Sequence, residues 1–433
     1  MTITDLYQKY LAHPLVITDT RKLQPGGIYF ALKGDNFNGN TFASKALAAG
    51  AAYAVIDEAE YNSDERCILV PDVLDTLQQL ALHHRQQFVV PFIAITGSNG
   101  KTTTKELVAA VLSRQYITYA TEGNLNNHIG IPLTLLRIAE GVQMAVIEMG
   151  ANHQKEIEGY CRVAEPTHGI ITNCGKAHIE GFGGIEGVRK GKGELYDYIA
   201  AAGGTIFRNT DLDYLQDMGR GVLRQITYGT ALGDITGVPV MNGVFLSVAV
   251  KNKDEDSMIN TRLVGEYNYP NVMTAVAVGT HFGVPMQEIK AAIESYEPDN
   301  SRSQWLQKGS NRIILDAYNA NPTSMRAAIL NFAGASLAAK TLWIGGMKEM
   351  GSAEQYEHKE LVSLIAAYQW QDVILVGREF EGVAGNYKWF ADSTAAAEYV
   401  SKNPPRDSAI LIKGSRGSKM ELMLRALGDT ATT

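Results

Sequence analysis

Cysteine is scarce in the sequence: Cys67, Cys161 and Cys174 are all it has in 433 residues, an odd number without CxxC spacing. That excludes a disulfide framework and a cysteine-built zinc cage, and a reducing cytoplasm fits best. Proline is sparse as well, 13 residues against 42 glycines, and no internal repeat, low-complexity tract or long run of like charge occurs. Disordered, collagenous and coiled-coil classes are therefore excluded. Long apolar runs are missing: the longest, near Phe88 to Ile95, falls far short of the ~18 residues that span a bilayer. The N-terminus, MTITDLYQKYLAHP, has an early Asp and no apolar signal core. A cytoplasmic chain without a membrane partner is expected. Positive charge is in deficit, 39 Lys plus Arg against 46 Asp plus Glu, for a formal net charge of -7. Such a balance gives no general attraction to nucleic acid, so a polyanionic ligand must be held by a local cluster.

What is present is ordinary globular composition, 45% hydrophobic and 20% charged. At about 100 to 200 residues per domain the length implies roughly three domains. Residues 1–88 hold three short apolar runs, Ile28 to Leu32, Ala52 to Ile56 and Cys67 to Val70, with a helical stretch at Phe42 to Ala49; they read as a small α/β domain. Residues 89–297 begin with a β-rich run, FIAIT, then a glycine loop, GSNG, then an amphipathic helix marked by Leu107/Val111 and Val108/Leu112 at i+4. Two further strand-length runs, MAVIE and GIITN, predict a parallel sheet covered by helices. The Asn242-Gly243 turn predicts a hairpin, so this domain is expected to end in an antiparallel extension. After the polar EPDNSRS segment, residues 298–433 carry five strand-like runs, IILDAY, TLWIGG, VILVG, YKWFA and AILIKG, with helices between most of them. They predict a doubly wound, Rossmann-like domain.

Gly97-Ser98-Asn99-Gly100-Lys101-Thr102-Thr103 is the sharpest chemical signal. Glycines let backbone N–H groups converge on phosphate oxygens, Lys101 adds a point charge, and the Thr102 hydroxyl suits Mg²⁺. Ile95 stands where the first Gly of the full phosphate-loop pattern would be, so the loop is a shorter form. A bare helix-capping turn is the blander reading, and the order of strand, loop, Lys-Thr and helix speaks against it. Ligands of open parallel sheets collect at the carboxyl ends of strands. Glu148 closes MAVIE, and His178 follows GIITN by five residues; together they suit a cation beside a triphosphate, although each alone reads as a cap or a structural residue. On a helix spanning Gly184 to Ala200, Lys192 falls about 40° from Val188 inside the apolar stripe, while Lys190 lies near 200° on the solvent side. An inward lysine costs free energy unless it is paired or chemically changed; snorkelling from the edge of the stripe is the alternative.

These residues resemble the Mur ligases over nearly the whole chain. Carrying the resemblance are TDTR at Thr18 to Arg21, GSNGKTTTKE, GNLNNHIGIPLTLL, EMGANH, AHIEGFGGIEGVRKGKGE, DAYNANPTSM and KGSRGSKME. The resemblance implies a three-domain enzyme that uses ATP to join D-alanyl-D-alanine to UDP-MurNAc-tripeptide through an acyl phosphate, acting as a monomer in peptidoglycan precursor synthesis. It also implies two Mg²⁺ ions, one at Thr102 and one at Glu148 and His178, with Lys192 in the position of a lysine that the family carries as a carbamate. By resemblance, Asn268 and Asn271 contact adenine, and Arg302 and Asp316 reach phosphate and ribose. Asn319 and Asn321 then sit near the reacting ends, Asn126 and Asn127 near the γ-phosphate, and Thr18, Thr20 and Arg21 around the uridine diphosphate. Tyr267 replaces a more usual His, and Gly346 an expected acidic residue. Rival readings are another ligase of this fold, such as folylpolyglutamate synthase, and a regulatory ATP switch without ligation.

Overall fold

Three main sheets follow one another along the chain in the computed structural model, which describes residues 1–251 and 256–428. The first is parallel, with strand order Val16–Ile17, Ile28–Phe30, Tyr53–Ile56, Cys67–Leu69. The expected helix appears as Ala43–Ala48, entered through a turn at Gly39–Phe42. Elements not anticipated include the two-residue edge strand Val16–Ile17 and a helix at Ile3–Ala12 opened by a capping box between Thr2 and Asp5. A long helix, Val73–Arg85, then leaves this unit with Asp72 as its cap. Leu77, Leu80 and Ala81 pack into a core shared with Ile131, Leu135 and Ile157 of the middle unit. Arg85 is buried there because carbonyls replace its water: Nε donates to Ala164 O at 2.8 Å and Nη2 to Glu165 O at 2.7 Å.

The second sheet has nine strands, ordered Ser257–Val264, Phe245–Lys251, Ile235–Asn242, Arg224–Gly229, Thr205–Asn209, His168–Ile171, Phe92–Thr96, Met144–Glu148, Thr118–Ala120. Pairing is parallel except at the first two junctions, which form the expected antiparallel extension. Its first turn places Asn242 opposite Phe245, so the two-residue loop is Gly243-Val244, one step beyond the expected pair; Gly243 has φ +66°. The extension does not end the unit. Helices Tyr269–His281 and Met286–Ser295 return to pack beside the helix after the glycine loop, Lys101–Leu112. Leu107, Val108, Val111 and Leu112 are fully buried in that layer, each contributing about 1.5–3 kcal/mol of apolar burial.

The third sheet runs Gln304–Lys308, Asn311–Asp316, Ala409–Lys413, Lys340–Gly345, Asp372–Val376, Lys388–Phe390. It has six strands rather than five. Gln304–Lys308 is the addition, an antiparallel edge strand whose Gln, Trp and Lys residues give no apolar run to detect. Separate hydrophobic clusters cover the two faces, one built on Ile329 and Ile365 and the other on Ala396 and Met423. That is the doubly wound arrangement expected from the sequence.

Candidate active site

Strand Phe92–Thr96 lies between Met144–Glu148 and His168–Ile171, with Ile95 opposite Glu148 and Thr96 opposite Ile171. This register brings the glycine loop, Glu148 and the segment leading to His178 to one edge of the sheet. Asn173 fixes the loop: its carbonyl accepts from Ser98 N at 2.9 Å, its side-chain oxygen accepts from Asn99 N at 3.1 Å, and its amide donates to Asn99 O at 3.0 Å. Gly97 and Gly100 take φ +146° and +81°. A β-carbon at Gly100 would stand 2.5 Å from Asn271 Oδ1, so only glycine permits this approach.

A cavity of about 510 Å³ opens here. Of the residues singled out from sequence, Ser98, Asn99, Gly100, Lys101, Thr102, Thr103, Asn126, Asn127, Glu148, His178, Asn268, Asn271, Arg302, Asp316 and Asn319 all line it. Lys101 donates from Nζ to Gly97 O at 2.7 Å. Burial holds its ammonium below the ordinary lysine value, Glu148 opposing and Arg302 reinforcing the shift. Asn126 donates from Nδ2 to Glu148 Oε1 at 2.7 Å, while Glu148 Oε2 is buried without a partner. Asn127 Oδ1 accepts at 2.8 Å from the backbone N–H of Gly130, the first residue of the helix Gly130–Leu135. Asn271 accepts from Thr104 Oγ1 at 3.0 Å and donates to Asn268 Oδ1 at 2.9 Å, and Asn268 donates to Val264 O. The pair is thereby held rigid against the loop helix.

Lys192 lies one layer below the cavity. Its helix, Ile185–Ala201, turns it inward and Lys190 outward, as the helical arithmetic predicts. Nζ donates to Ala151 O at 3.1 Å and lies 4.9 Å from the centre of the Phe182 ring. Burial, with Lys101 nearby, lowers its pKa to about 7. His178 starts a short helix, Ile179–Phe182, and its Nδ1 is hydrogen-bonded to the Glu349 carboxylate. Burial keeps the imidazole below its usual value; Glu349 pulls the other way, and Lys101 and Lys192 push further down. Among the described residues no three His, Cys, Asp or Glu side chains converge as a ready-made metal cluster. The orphaned oxygen of Glu148, with the His178 imidazole and the Thr102 hydroxyl on the same cavity, nevertheless fits a hard cation sharing its ligands with a phosphate.

The opposite wall comes from the third sheet. Asp316 pairs with the buried Lys413 at 2.5 Å. The Arg302 guanidinium stacks 3.7 Å above the Tyr318 ring and leaves Nε buried without a partner. Asn319 accepts from Ala320 N at 2.9 Å. Asn321 sits behind Asn99 and does not itself line the cavity. It caps the helix Pro322–Gly334, accepting from Ser324 N at 2.9 Å, and donates to Asn99 Oδ1 at 2.8 Å, so it ties the third unit to the glycine loop. Tyr267 makes a second tie, to Ser303 Oγ at 2.8 Å. At Gly346 a β-carbon would meet the Glu379 carboxylate at 2.5 Å, so a side chain there would require Glu379 to move.

Thr18, Thr20 and Arg21 lie outside this cavity, beyond the end of strand Val16–Ile17. Asp19 caps the turn Thr20–Lys22 and holds the Arg21 guanidinium, whose side chain is 88% exposed. Sequence reasoning missed Tyr318 and Lys413 as cavity residues, although both lie in the DAYNANP and KGSRGSKME runs. It also missed Glu349, for which only the contact with His178 gives a signal.

Comparison with known proteins agrees with this architecture. The family described as "Mur ligase family, catalytic domain" matches residues 15–85, "Mur ligase middle domain" matches 95–279, and "Mur ligase, glutamate ligase domain" matches 301–416. The chain is 34% identical to the UDP-N-acetylmuramoyl-tripeptide--D-alanyl-D-alanine ligase of Bacillus subtilis (strain 168), over 97% of this chain and 94% of the relative. It is 33% identical to the enzyme of the same name from Escherichia coli (strain K12), over 96% and 94%. A crystal structure of MurF from Acinetobacter baumannii superposes with a TM-score of 0.89 at 29% identity, covering 98% of both chains. A MurF ligase from Thermotoga maritima, solved in complex with ADP, shares the fold at a TM-score of 0.86 and 23% identity, over 96% of this chain and 97% of that one. With matches in chain order to all three units and a third of the residues identical to enzymes of that name, the chain belongs to the Mur ligase family.

Proposed function

We propose that this protein is an ATP-dependent ligase that joins D-alanyl-D-alanine to UDP-MurNAc-tripeptide, releasing ADP and phosphate, in peptidoglycan precursor synthesis. One observation carries the reading: a phosphate loop, an unpartnered carboxylate oxygen at Glu148 and a guanidinium from another unit face one cavity. A regulatory ATP switch needs phosphate contacts but has no need of a second metal site, at Glu148, His178 and Lys192, facing an acyl acceptor.

The chemistry asks for that arrangement. An oxygen of the tripeptide carboxylate attacks the γ-phosphorus, and the bond to ADP breaks. The dipeptide amine then attacks the acyl carbon, loses a proton and expels phosphate, leaving an amide. Both reactants of the first step are anions, so positive charge must be fixed in advance. Lys101 and the loop N–H groups serve the phosphates; Arg302 closes over them from the third unit. Thr102, and Glu148 with His178, would hold two Mg²⁺ ions, which when bound would further neutralise phosphate and carboxylate. Asn126 orients Glu148, and Asn319 lies where an amide can orient the incoming peptide. Asn268 and Asn271 make the adenine wall, and Asp316 the ribose side. Thr18, Thr20 and Arg21 take the uridine diphosphate in the first domain, 1–88, with the middle domain spanning 89–297 and the third 298–433.

Lys192 is read as a carbamate. Its pKa of about 7 leaves much of the amine neutral, so CO₂ adds to the neutral Nζ with loss of one proton and gives a buried carboxylate that would help hold the second ion. The Lys192→Ala variant is then nearly inactive and recovers with small added carboxylates; full activity without them rejects the carbamate. By the family resemblance the enzyme acts as a cytoplasmic monomer. Mass analysis of the product formed from ATP and both substrates tests the main reading: a UDP-linked pentapeptide supports it, and a product formed only from a folate and glutamate rejects it.

A further inference from the structure

The geometry points to Glu349 as a positioning residue for the cation site, delivered by the third unit and acting through His178. This rests on the reading of Glu148 and His178 as cation ligands. The Glu349 carboxylate is hydrogen-bonded to His178 Nδ1 across 171 residues of chain. Both partners are non-glycine residues in left-handed backbone, His178 at φ +52° and Glu349 at φ +61°. Such backbone is strained for a residue with a β-carbon, so two of them meeting across a domain boundary are held there by their surroundings.

Those surroundings are built on both sides. Ile179, next to His178, packs against the hydrophobic core of the third unit. Gly351, at φ +52°, approaches Glu180 so closely that a β-carbon would lie 3.0 Å from its carboxyl carbon. On the other side, Gly346 N donates to Val376 O at 2.9 Å, Ser415 Oγ to Gly346 O at 2.8 Å, and Met347 N to His358 Nε2 at 3.0 Å. Lys348 is paired with the buried Glu379 carboxylate. The loop carrying Glu349 is therefore a fixed arm rather than a loose surface turn.

A histidine that binds a cation through one ring nitrogen needs the other protonated and aimed. Donation from Nδ1–H to Glu349 selects that tautomer, leaves the lone pair on Nε2, and makes the ring a better donor to a metal. A free histidine side chain in water favours the opposite tautomer, with the proton on Nε2. Because the carboxylate belongs to the third unit, cation affinity and domain docking are coupled: undocking frees His178 to turn, and a bound cation favours the docked arrangement.

The test uses ¹⁵N-histidine-labelled full-length protein, with His178 assigned through His178→Gln, and Mn²⁺ titration followed by electron paramagnetic resonance in the presence of ADP. The wild type is expected to show the Nδ1–H tautomer. Glu349→Gln, which keeps an acceptor, retains it. Glu349→Ala reverts to Nε2–H and weakens Mn²⁺ binding about 10- to 100-fold, with unchanged thermal unfolding showing that the fold is intact. An Nδ1–H tautomer in Glu349→Ala with Mn²⁺ affinity within about 2-fold of wild type overturns the inference and leaves a plain surface ion pair; so does a wild type that binds no Mn²⁺. A tautomer and affinity that shift as expected in a protein making no pentapeptide product would instead sink the proposed reaction and leave this inference standing.

Discussion

The Asn126 amide donates to one oxygen of Glu148 at 2.7 Å and leaves the other oxygen buried without a partner. A buried, half-satisfied carboxylate costs stability and is retained where it has a ligand to meet. Glu148→Gln is therefore expected to leave thermal unfolding of the ligand-free protein unchanged or shifted upward. Phosphate release from ATP should fall by about 10²- to 10³-fold. A variant that unfolds earlier and keeps its rate would assign Glu148 to the core.

Lys192 ties stability to pH. Its pKa is about 7 in the fold, against an ordinary value of 10.5. Between those limits the unfolded chain binds more protons than the folded one, so stability rises with pH over that window. Below it the lysine is charged in both states and the whole burial cost is present. This one group contributes a slope of up to about 1.4 kcal/mol per pH unit. Urea unfolding at several alkaline pH values, in bicarbonate-free buffer, should show a flatter slope for Lys192→Met than for wild type; parallel slopes would mean the amine titrates normally.

Asn321 combines two jobs that different substitutions separate. Asn321→Ser keeps a side-chain acceptor for Ser324 N but cannot reach Asn99, whereas Asn321→Ala loses both contacts. The alanine variant should be less stable than the serine variant by about 1 kcal/mol. Both should raise the KM for ATP, since each releases the glycine loop from the third unit. If only the alanine variant changes KM, the Asn99 bond does not matter to the nucleotide.

Gly100→Ala places a β-carbon 2.5 Å from Asn271 Oδ1, at a backbone φ of +81°. Strain of about 1–3 kcal/mol is expected, with loss of nucleotide binding in a calorimetric titration. Gly34→Ala is a useful control, because its β-carbon would meet nothing within 4 Å and its φ does not lie in the left-handed range.

Legibility followed periodicity and punctuation. The glycine loop, the strands beside it and the inward face of Lys192 were readable because runs such as FIAIT and a 3.6-residue repeat have local causes. Gln304–Lys308 was not readable, being a polar-rich edge strand defined only by its partner Asn311–Asp316. Val16–Ile17, two residues long, had no pattern to show. Within the site, groups near the loop were legible from their motifs. Asn321 stayed open because one Asn-Pro step serves equally as a reacting-end residue and as a helix cap; the Ser324 contact adds the cap and the Asn99 contact the tie to the glycine loop. Glu349 was invisible because its partner is 171 residues away.

The central claim is that one cavity couples ATP cleavage to amide formation between two specific substrates. Phosphate release, measured with each substrate omitted in turn, tests it most directly. The account predicts steady release only when ATP, UDP-MurNAc-tripeptide and D-alanyl-D-alanine are all present, with one pentapeptide formed per phosphate. Steady release from ATP alone, or with either acceptor missing, would contradict it.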